Sequence, residues 1–486
     1  MKTTYIKNIT LGLLAVISLT ACNDWLDVSP KSQIEETDQF SRPSGFRDQL
    51  TGVYTQMSQS ALYGMNTGFG FAEVLAQNYD VDASSSWQPI SEYDYANDKV
   101  KPIISTIWNT TYSCIANLNI MLGNLEKANK AMFADNEYSL CYGEGLGLRG
   151  FLHFELMRLF ASSPAMNGED NGVPYATEYG KNIPAQKSVN ETMDLIIADL
   201  LKASEYLEHD SLYASEDHYS HKDRKNYYNY YANELVLSRA YLWKGDKENA
   251  LKHAMSIINV LEDEDIKSRP FSWVHYTSMQ AQNVRDRDLI FSTEHLFSLV
   301  MDKTYWEEQT NIYFKSEGGT ASLSPSETKA NKIYEVDKGY GNDYRLLRGY
   351  EQDGDKRYLC KYWVIDGSSY VNMYPVLRMT EAYYIAAECL KESDPKRAIE
   401  LLNTVRYNRG LNLESNNLPE TLSSDEIQKE IYKEYQKEFV GEGGQLFFYD
   451  KRLNNPSIES ATRPAGKSVY VLPIPDNDKE FGGYDN

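Results

Sequence analysis

Long apolar segments and basic residues are both scarce in this chain. The only extended apolar run lies at residues 9–17, which is too short to cross a bilayer core of roughly 30 Å as a stable helix. The 49 lysines and arginines are outnumbered by 70 aspartates and glutamates, which gives a formal net charge of −21. Such a charge repels nucleic acids and anionic lipids. The composition therefore disfavours polyanionic partners.

Cysteine is also rare, and its spacing carries no motif. Besides Cys22 the chain has four cysteines, and no two of the five lie in a Cys-x-x-Cys pattern. This excludes a disulfide framework and the usual zinc signatures. A bridge between Cys114 and Cys141 remains an option in an oxidising compartment, but we favour four buried thiols in a large core. These four residues are Cys114, Cys141, Cys360 and Cys389.

Motifs for catalysis are missing as well. The sequence contains no Gly-x-Ser-x-Gly elbow, no Gly-x-x-x-x-Gly-Lys phosphate loop and no His-Glu-x-x-His, which are the patterns that place a nucleophile, a phosphate or a zinc ion. Carboxylates are plentiful, so composition allows a glycosidase pair, yet nothing selects any two of them. We interpret the protein as a binding protein and not as an enzyme.

Two stretches have residue types that could bind a metal. A histidine-rich stretch spans residues 209–223, where one helical turn would place His218 and His221 on one side. Asp353 and Asp355 flank a glycine and could supply oxygen ligands to calcium, but the rest of a calcium loop is absent. We favour a solvated loop and a plain turn, and we expect no cofactor, with a structural calcium ion as the alternative.

The N-terminus has the features of a lipoprotein signal peptide. Lys2 and Lys7 precede the apolar run, and Leu19-Thr20-Ala21-Cys22 follows it. That tetrapeptide resembles a bacterial lipobox, which implies removal of residues 1–21 and acylation of Cys22. An ordinary thiol after plain secretion is the alternative. No later stretch approaches the roughly 20 apolar residues of a membrane span, so we expect the protein to sit on a membrane, anchored by lipid.

The main structural signal is helical periodicity that comes in pairs. Two apolar stripes at helical spacing are interrupted by Gly245-Asp246, which predicts a helix, a tight turn and an antiparallel helix. Small residues on the facing sides resemble a tetratricopeptide repeat. The stripes consist of Ala232, Val236, Ala240 and Trp243, then Ala250, Ala254, Ile257 and Leu261.

The same unit recurs near the C-terminus. Asp394 is a suitable N-cap with Pro395 at the first helical position, and Gly410 predicts where the second helix ends. Its two stripes are Ala382, Ala386 and Leu390, then Ala398, Leu402 and Val405.

Three more helices are indicated. Ser188 with Glu191 and Ser423 with Glu426 each fit a capping box before an apolar helical run. A further helix is predicted from about residue 145 to residue 160.

Between the helices lie long polar stretches rich in aromatic residues, at 63–97, 270–319 and 322–371. Loops of this length in a compact protein are usually functional. We therefore predict a mostly α fold, with a tetratricopeptide-like helix-pair scaffold, long aromatic-rich loops and little β structure. Because no flexible linker divides the chain, we expect residues 22–486 to form a single domain with an N-terminal tether at 22–41.

Several short motifs, taken in their order along the chain, resemble those of the SusD/RagB family of Bacteroidetes surface lipoproteins. Each is weak alone, but together they span nearly the whole mature chain. One segment departs from the family pattern, because Lys437-Glu438, Gly441-Glu442-Gly443 and Leu446-Phe447-Phe448 stand where the family usually has Glu-Arg, Glu-Gly and Arg-Trp. The matching motifs are CNDWLD at 22–27, RGFLHFELMRLF at 149–160, GVPY at 172–175, AYLWKGD at 240–246, LRMTEAY at 377–383, NTVR at 403–406 and LPIP at 472–475.

The resemblance implies a location and a partner. Proteins of this family are anchored at the cell surface in the outer membrane, where they cap a SusC-like TonB-dependent transporter. They capture an oligosaccharide or a peptide and pass it inward. The ligand lies on loops on one side of the tetratricopeptide-like scaffold and is held mainly by aromatic rings.

The seven tryptophans divide into structural and candidate binding residues. Trp108 and Trp243 lie on apolar stripes, Trp25 belongs to the tether motif, and Trp363 lies in a strand-like stretch, so we expect these four to be structural. The three candidate binding residues are Trp87, Trp273 and Trp306. Trp87 and Trp306 have polar neighbours and no apolar residues at helical spacing, and Trp273 lies among Phe271, Ser272 and His275.

The family resemblance places Trp87 and Trp306 in ligand loops by their order along the chain. Sugar rings stack on aromatic faces, and indole offers the largest such face. We expect Trp87 and Trp306 to bind ligand, with Tyr93, Tyr305 and Trp273 as lesser contributors. The alternative is that each tryptophan merely pins its loop to the body of the protein.

The sequence is compatible with three functions. The chain is a glycan-binding subunit of an importer, a peptide-binding subunit of the same fold, or a tetratricopeptide scaffold that binds only protein. A peptide binder does not need clustered exposed tryptophans, and a scaffold does not need long aromatic loops. We therefore favour the glycan-binding protein, which would serve polysaccharide utilisation.

Overall fold

The computed structural model describes residues 36–134, 136–180, 184–211, 224–266, 269–370 and 372–486. The signal peptide, Cys22 and the first part of the tether lie outside the described residues, as does most of the histidine-rich stretch. Internal contacts divide the chain into two units, residues 1–46 and 47–486. In the first unit, a short helix Glu36–Gln39 is followed by Phe40, whose ring centroid lies 4.8 Å from that of Phe46.

The second unit consists mainly of helices, as the sequence predicts. Shorter helices, each of seven residues or fewer, occur at Phe71–Leu75, Gln88–Ser91, Pro164–Asn167, Tyr276–Met279, Glu327–Ile333, Tyr344–Leu347, Lys467–Tyr470 and Asp476–Gly482. The longer helices, of which the first begins at the end of the first unit, are α1 (Pro43–Met57), α2 (Lys101–Leu125), α3 (Glu137–Phe160), α4 (Val189–Leu207), α5 (Tyr230–Lys244), α6 (Lys247–Glu262), α7 (Lys303–Tyr313), α8 (Thr380–Leu390), α9 (Pro395–Asn408), α10 (Ser424–Glu438) and α11 (Gln445–Arg452).

Strands are few and short among the described residues. Strand β1 (His295–Val300) pairs antiparallel with β4 (Met373–Arg378), and β2 (Tyr350–Asp353) pairs antiparallel with β3 (Lys356–Leu359). The turn between β2 and β3 contains Gly354 at a φ of +61°, a conformation that glycine adopts without strain. The Asp353 to Asp355 stretch is thus the turn of a β-hairpin.

The predicted helix pairs are confirmed, together with their capping residues. Gly245 has a φ of +87° after α5, and Asp246 Oδ1 accepts a 3.1 Å hydrogen bond from the Asn249 N–H at the start of α6. In the second pair, Asp394 accepts a 3.1 Å hydrogen bond from the Arg397 N–H, and Gly410 has a φ of +91° just beyond α9. Both turns use the local chemistry from which they were predicted.

Helix α3 begins at Glu137, eight residues before the predicted start. The sequence there is rich in glycine, which normally weakens a helix. A Cβ at Gly150 would lie 3.0 Å from Leu200 Cγ, and one at Gly143 would lie 2.8 Å from Leu207 Cγ. The glycines therefore allow α3 to pack closely against α4, and this packing offsets their low helix propensity.

A buried network of ion pairs links β4, α9 and α10. Arg378 Nη1 lies 2.6 Å from Glu438 Oε1, and Arg409 Nη2 lies 2.6 Å from Glu294 Oε2, with all four side chains inaccessible to solvent. Arg378 Nε also donates a 2.8 Å hydrogen bond to Glu442. Glu438 and Glu442 belong to the segment that departs from the family pattern, so in this protein that segment holds the fold together.

The cysteine prediction is confirmed for the residues that the structure describes. Cys114, Cys141, Cys360 and Cys389 are all buried and all unbridged. Burial raises the pKa of the Cys114 thiol to about 12, so it stays protonated at neutral pH.

None of the helices in the described ranges is both long enough and apolar enough to cross a membrane.

Candidate ligand-binding site

Aromatic rings from three separate loop regions meet in one cluster. The centroid of Phe69 lies 5.6 Å from that of Trp306 and 5.0 Å from that of Phe314, and Trp306 lies 5.4 Å from Tyr362. Most of these rings meet edge to face, which is a favourable geometry for aromatic pairs. We call this group the aromatic cluster, and it comprises Phe69, Trp87, Trp306, Tyr313, Phe314, Tyr362 and Tyr374.

The aromatic cluster is connected to the buried ion-pair network through the turn at Gly441. The Gly441 carbonyl oxygen accepts hydrogen bonds from Tyr362 Oη at 2.9 Å and from Tyr374 Oη at 3.2 Å. Gly441 is followed by Glu442, which pairs with Arg378. Because both phenol groups are fixed to this turn, the inner rings of the cluster are held rigidly.

Trp306 is a deeply buried member of the aromatic cluster, and only 1% of its surface is exposed. Helix α7 begins at the Asp302 N-cap, which accepts a 2.9 Å hydrogen bond from the Tyr305 N–H. The helix then places Trp306, Thr310 and Tyr313 on one face. The sequence argument that Trp306 lacks neighbours at helical spacing was therefore wrong, because Tyr313 lies two turns further along the same face. Whether Trp306 contacts ligand stays a prediction.

Trp87 joins the same cluster from the first loop region. Its ring centroid lies 5.6 Å from that of Tyr313, and the side chain is 5% exposed. Its Nε1–H is buried and has no hydrogen-bond partner among the described residues. The structure thus places Trp87 and Trp306 in the same aromatic cluster, which is required if both belong to one site. Both side chains are buried, so neither offers an exposed face on which a sugar ring could stack.

Tyr305 precedes Trp306 on α7 and is more accessible. Its side chain is half-buried, and Tyr305 Oη donates a 3.4 Å hydrogen bond to the Gly64 carbonyl oxygen. Burial raises the pKa of Tyr305 to about 12, so the phenol stays neutral and remains a hydrogen-bond donor at physiological pH.

Tyr93 and Trp273 lie elsewhere. Tyr93 is 2% exposed, and its hydroxyl donates a 3.0 Å hydrogen bond to the Leu75 carbonyl oxygen. Trp273 is half-buried, with its ring 5.0 Å from that of Tyr383 and 5.5 Å from the Arg409 guanidinium carbon. Neither ring contacts the aromatic cluster within the described part of the chain.

Sequence reasoning missed two partly accessible rings, that of Tyr313 in the aromatic cluster and that of Trp363, which packs against a separate buried group that includes Val274, Leu289 and Phe291. Both are half-buried. Trp363 Nε1 donates a 2.9 Å hydrogen bond to the Phe314 carbonyl oxygen, and Lys315 Nζ lies 5.2 Å from the centroid of the indole ring. Trp363 lies in an irregular stretch after β3 and not in the strand that the sequence suggested. Of these two residues, only Tyr313 could have been found from the sequence, because it lies seven residues after Trp306 and therefore on the same face of a helix.

Polar groups tie the loops around the cluster together. Asp80 Oδ2 accepts a 2.7 Å hydrogen bond from the Ser326 N–H, and Asp80 Oδ1 lies 3.1 Å from Lys329 Nζ. Partial burial opposes ionisation, but these two donors still hold the pKa of Asp80 below its usual value. Asp80 therefore remains charged and joins the first loop region to the third.

The described residues contain no group of three or more histidines, cysteines, aspartates or glutamates arranged to hold a metal ion. The expectation that the protein needs no cofactor stays a prediction. Chemically, the cluster offers flat apolar rings, phenol groups and an ammonium group, which suit the binding of a neutral polar ligand.

Solved structures with the same fold are known. A SusD superfamily protein from Bacteroides thetaiotaomicron superposes with a TM-score of 0.72 at 21% identity, over 91% of this chain and 98% of that protein. A putative sugar-binding protein from Bacteroides vulgatus gives 0.68 at 23% identity, over 90% and 96% of the two chains. NanU from Bacteroides fragilis gives 0.68 at 16% identity, over 93% and 97%.

A curated relative is similar over a shorter region. SusD-like protein P25 from Formosa agariphila is 21% identical over 170 residues, which cover 33% of this chain. The match spans 31% of that protein's length.

Two family models match this sequence. One, described as starch-binding and associating with the outer membrane, matches residues 24–242. The other, that of the SusD family, matches residues 212–456, which is just over half of the 486 residues. Together they cover the helix pairs, the loops of the aromatic cluster and the buried ion-pair network. This confirms the resemblance read from the sequence motifs, and the chain belongs to the SusD family, a family of glycan-binding proteins associated with the outer membrane.

Proposed function

We propose that this protein captures an oligosaccharide at the cell surface and delivers it to a SusC-like TonB-dependent transporter in the outer membrane. Its role is to bind and not to catalyse. The observation that carries the proposal is the aromatic cluster, in which buried rings from three loop regions lie beside half-buried rings from two of those regions. Family membership supports the same function, and an acyl anchor on Cys22 would keep the protein beside its transporter.

We assign different roles to the buried rings of the aromatic cluster and to three half-buried rings in it or beside it. Tyr305, Tyr313 and Trp363 are half-buried, so each keeps part of its surface available to the apolar C–H face of a sugar. Trp87 packs against Tyr313, and the buried ring of Trp306 stabilises the packing of the cluster. The geometry adds no support to the assignments of Tyr93 and Trp273, which remain predictions from the sequence.

Two features favour a sugar over a peptide. The accessible groups are flat rings, phenol hydroxyls and an indole, which match the alternating apolar faces and hydroxyl edges of a pyranose. A net charge of −21 also repels acidic peptides.

The experiment that tests this function is affinity electrophoresis of the purified protein through gels that contain single polysaccharides. The panel includes soluble starch, a β-glucan, a mannan and a pectin, with a mixed casein digest tested separately by calorimetry. We expect retardation by at least one polysaccharide and no heat of binding from the peptides. Peptide binding without any glycan binding would overturn the proposal.

A further inference from the structure

A second cleft lies apart from the aromatic cluster and shares no lining residue with it. It has a volume of about 550 Å³ and is formed by the start of α2 and the C-terminal segment 467–486. Its walls are mostly aliphatic, from Ile104, Val471, Pro473 and Ile474, with Tyr95 as the one aromatic residue in the lining. Branched and cyclic aliphatic side chains pack against hydrocarbon and lack the flat face on which sugars stack.

The rim of this cleft is positively charged, although the chain as a whole is strongly acidic. Lys101, Lys467 and Lys479 line the cleft, against the single carboxylate of Asp476. Lys467 Nζ lies 2.9 Å from Asp170 Oδ2. Lys101 and Lys479 are exposed and have no carboxylate oxygen within 4.0 Å in the described ranges.

One further cation stands beside the rim. Arg463 Nη2 donates a 3.3 Å hydrogen bond to the hydroxyl of Ser468, which is a lining residue. Cations that converge on a concave apolar surface concentrate anions from solution. The charge of the rim is therefore complementary to an anionic ligand.

The walls are anchored to the body of the protein. Asn486 Nδ2 donates to the Phe160 carbonyl oxygen at 2.8 Å and to the Leu472 carbonyl oxygen at 2.7 Å. Tyr95 Oη donates a 2.6 Å hydrogen bond to the Val469 carbonyl oxygen on another side of the cleft. Because these bonds fix the C-terminal segment, the cleft is formed before any ligand enters, which lowers the entropic cost of binding.

We propose that this cleft binds a small amphipathic carboxylate, with its carboxyl group between Lys101 and Lys479 and its hydrocarbon body along Ile104 and Pro473. The volume lies within the range of about 300–1,000 Å³ that is typical of small-molecule sites. Ammonium groups bind carboxylates through charge-assisted hydrogen bonds. The proposal does not depend on glycan binding at the aromatic cluster.

The test is isothermal titration calorimetry of octanoate into the full chain that carries Cys22→Ala, so that no acyl chain competes for the cleft. We expect saturable binding of one octanoate per protein. Each methylene added from hexanoate to octanoate strengthens binding by roughly threefold to fourfold. 1-Octanol, which lacks the charge, should bind at least about tenfold more weakly, and octylamine should not bind.

Three variants separate the charged rim from the apolar wall. Lys101→Gln with Lys479→Gln should weaken octanoate binding by about tenfold or more, whereas the matched control Lys252→Gln, an exposed lysine on α6, should not change it. Ser105→Trp should fill the cleft and abolish binding without lowering the melting temperature, since Ser105 is a half-buried residue on its wall.

Several outcomes would overturn the proposal. They are no octanoate binding, equal binding of 1-octanol, and unchanged binding in both the lysine and the Ser105→Trp variants. If the Ser105→Trp variant lost binding to the polysaccharide that retards the wild type, this cleft would be a sugar site, which would equally contradict the assignment.

Discussion

Trp363 and Phe314 are joined by a 2.9 Å hydrogen bond from the indole Nε1 to the main-chain carbonyl oxygen. The bond ties the loop after β3 to the end of α7. Phe314 itself packs into the aromatic cluster, and part of the Trp363 ring stays accessible. The functional proposal rests on this arrangement, in which buried aromatic rings lie beside rings that are partly exposed.

The inner ring of Trp306 should be needed for stability. Because it is 1% exposed and packed among Phe69, Tyr362 and Tyr374, Trp306→Ala should reduce the free energy of unfolding by about 3–5 kcal/mol. Urea denaturation followed by circular dichroism measures this loss. Tyr407→Ala, at an exposed tyrosine on α9, is the control and should stay within about 0.5 kcal/mol of the wild type. An unfolding free energy that Trp306→Ala leaves unchanged would mean that the ring is not packed as described.

A buried carboxyl should make stability depend on pH. Burial raises the pKa of Asp450 to about 7, against the opposing effect of Asn455, whose Nδ2 donates a 2.6 Å hydrogen bond to Asp450 Oδ1. Asp450 Oδ2 has no hydrogen-bond partner within the described ranges. The folded protein therefore binds this proton more tightly than the unfolded chain does, and the contribution of Asp450 to stability falls as pH rises from about 4 to 7.

Asp450→Asn removes that titration and keeps the acceptor for Asn455. The variant should be more stable than the wild type at pH 8, by an amount on the order of 2–4 kcal/mol. The difference should shrink toward zero as pH falls below about 4, where the wild-type carboxyl becomes protonated in the unfolded as well as in the folded state. Urea melts of both proteins at pH 4, 6 and 8 measure it. A difference that does not change with pH would contradict the raised pKa.

The membrane anchor is tested separately from the binding site. Cys22→Ala should move the protein from the membrane fraction to the soluble fraction, because acylation of one cysteine supplies the hydrocarbon chains that stable attachment needs. Cell fractionation followed by immunoblotting shows the distribution. Cys141→Ala, at a buried thiol, is the control and should leave the protein with the membrane. Membrane retention of the Cys22→Ala variant would exclude this anchor.

The transporter partner should be recoverable with the protein. Gentle detergent extraction of outer membranes and affinity purification of the tagged chain should bring down a second, much larger protein of the TonB-dependent transporter class. Chemical cross-linking before extraction should increase the yield. If no such protein is recovered under either condition, the delivery part of the proposed function fails, while glycan binding can still be tested on its own.

The sequence predicted the helix pairs well because their signals are local. Asp246 and Asp394 cap their helices through residues three positions away, and Gly245 and Gly410 end theirs through their own backbone conformation. A single chain segment contains all of that information. The start of α3 was missed because contacts with Leu200 and Leu207 of α4, and not local propensity, stabilise its glycine-rich first turns.

The candidate site was predictable only in part. Polar neighbours marked Trp87 and Trp306 as residues of interest, and the structure places them in one cluster. Their burial was not predictable, because Phe69 and Tyr362, which cover Trp306, are distant in sequence. The same holds for Trp363, whose partner Phe314 is 49 residues away. Such tertiary contacts leave no periodic pattern in the sequence.

The most direct test of the account is calorimetry on the double variant Tyr313→Ala/Trp363→Ala, titrated with an oligosaccharide of the polysaccharide that retards the wild type. Aromatic stacking on flat ligands contributes about 1–3 kcal/mol per ring, so loss of both rings should weaken binding by at least about thirtyfold. Because Trp363 donates a hydrogen bond and Tyr313 packs against Phe69 and Trp87, circular dichroism must show that the double variant is folded at the temperature of the titration. Tyr407→Ala should bind like the wild type. Unchanged affinity in the double variant would contradict the claim that the half-buried rings in and beside the aromatic cluster hold the sugar.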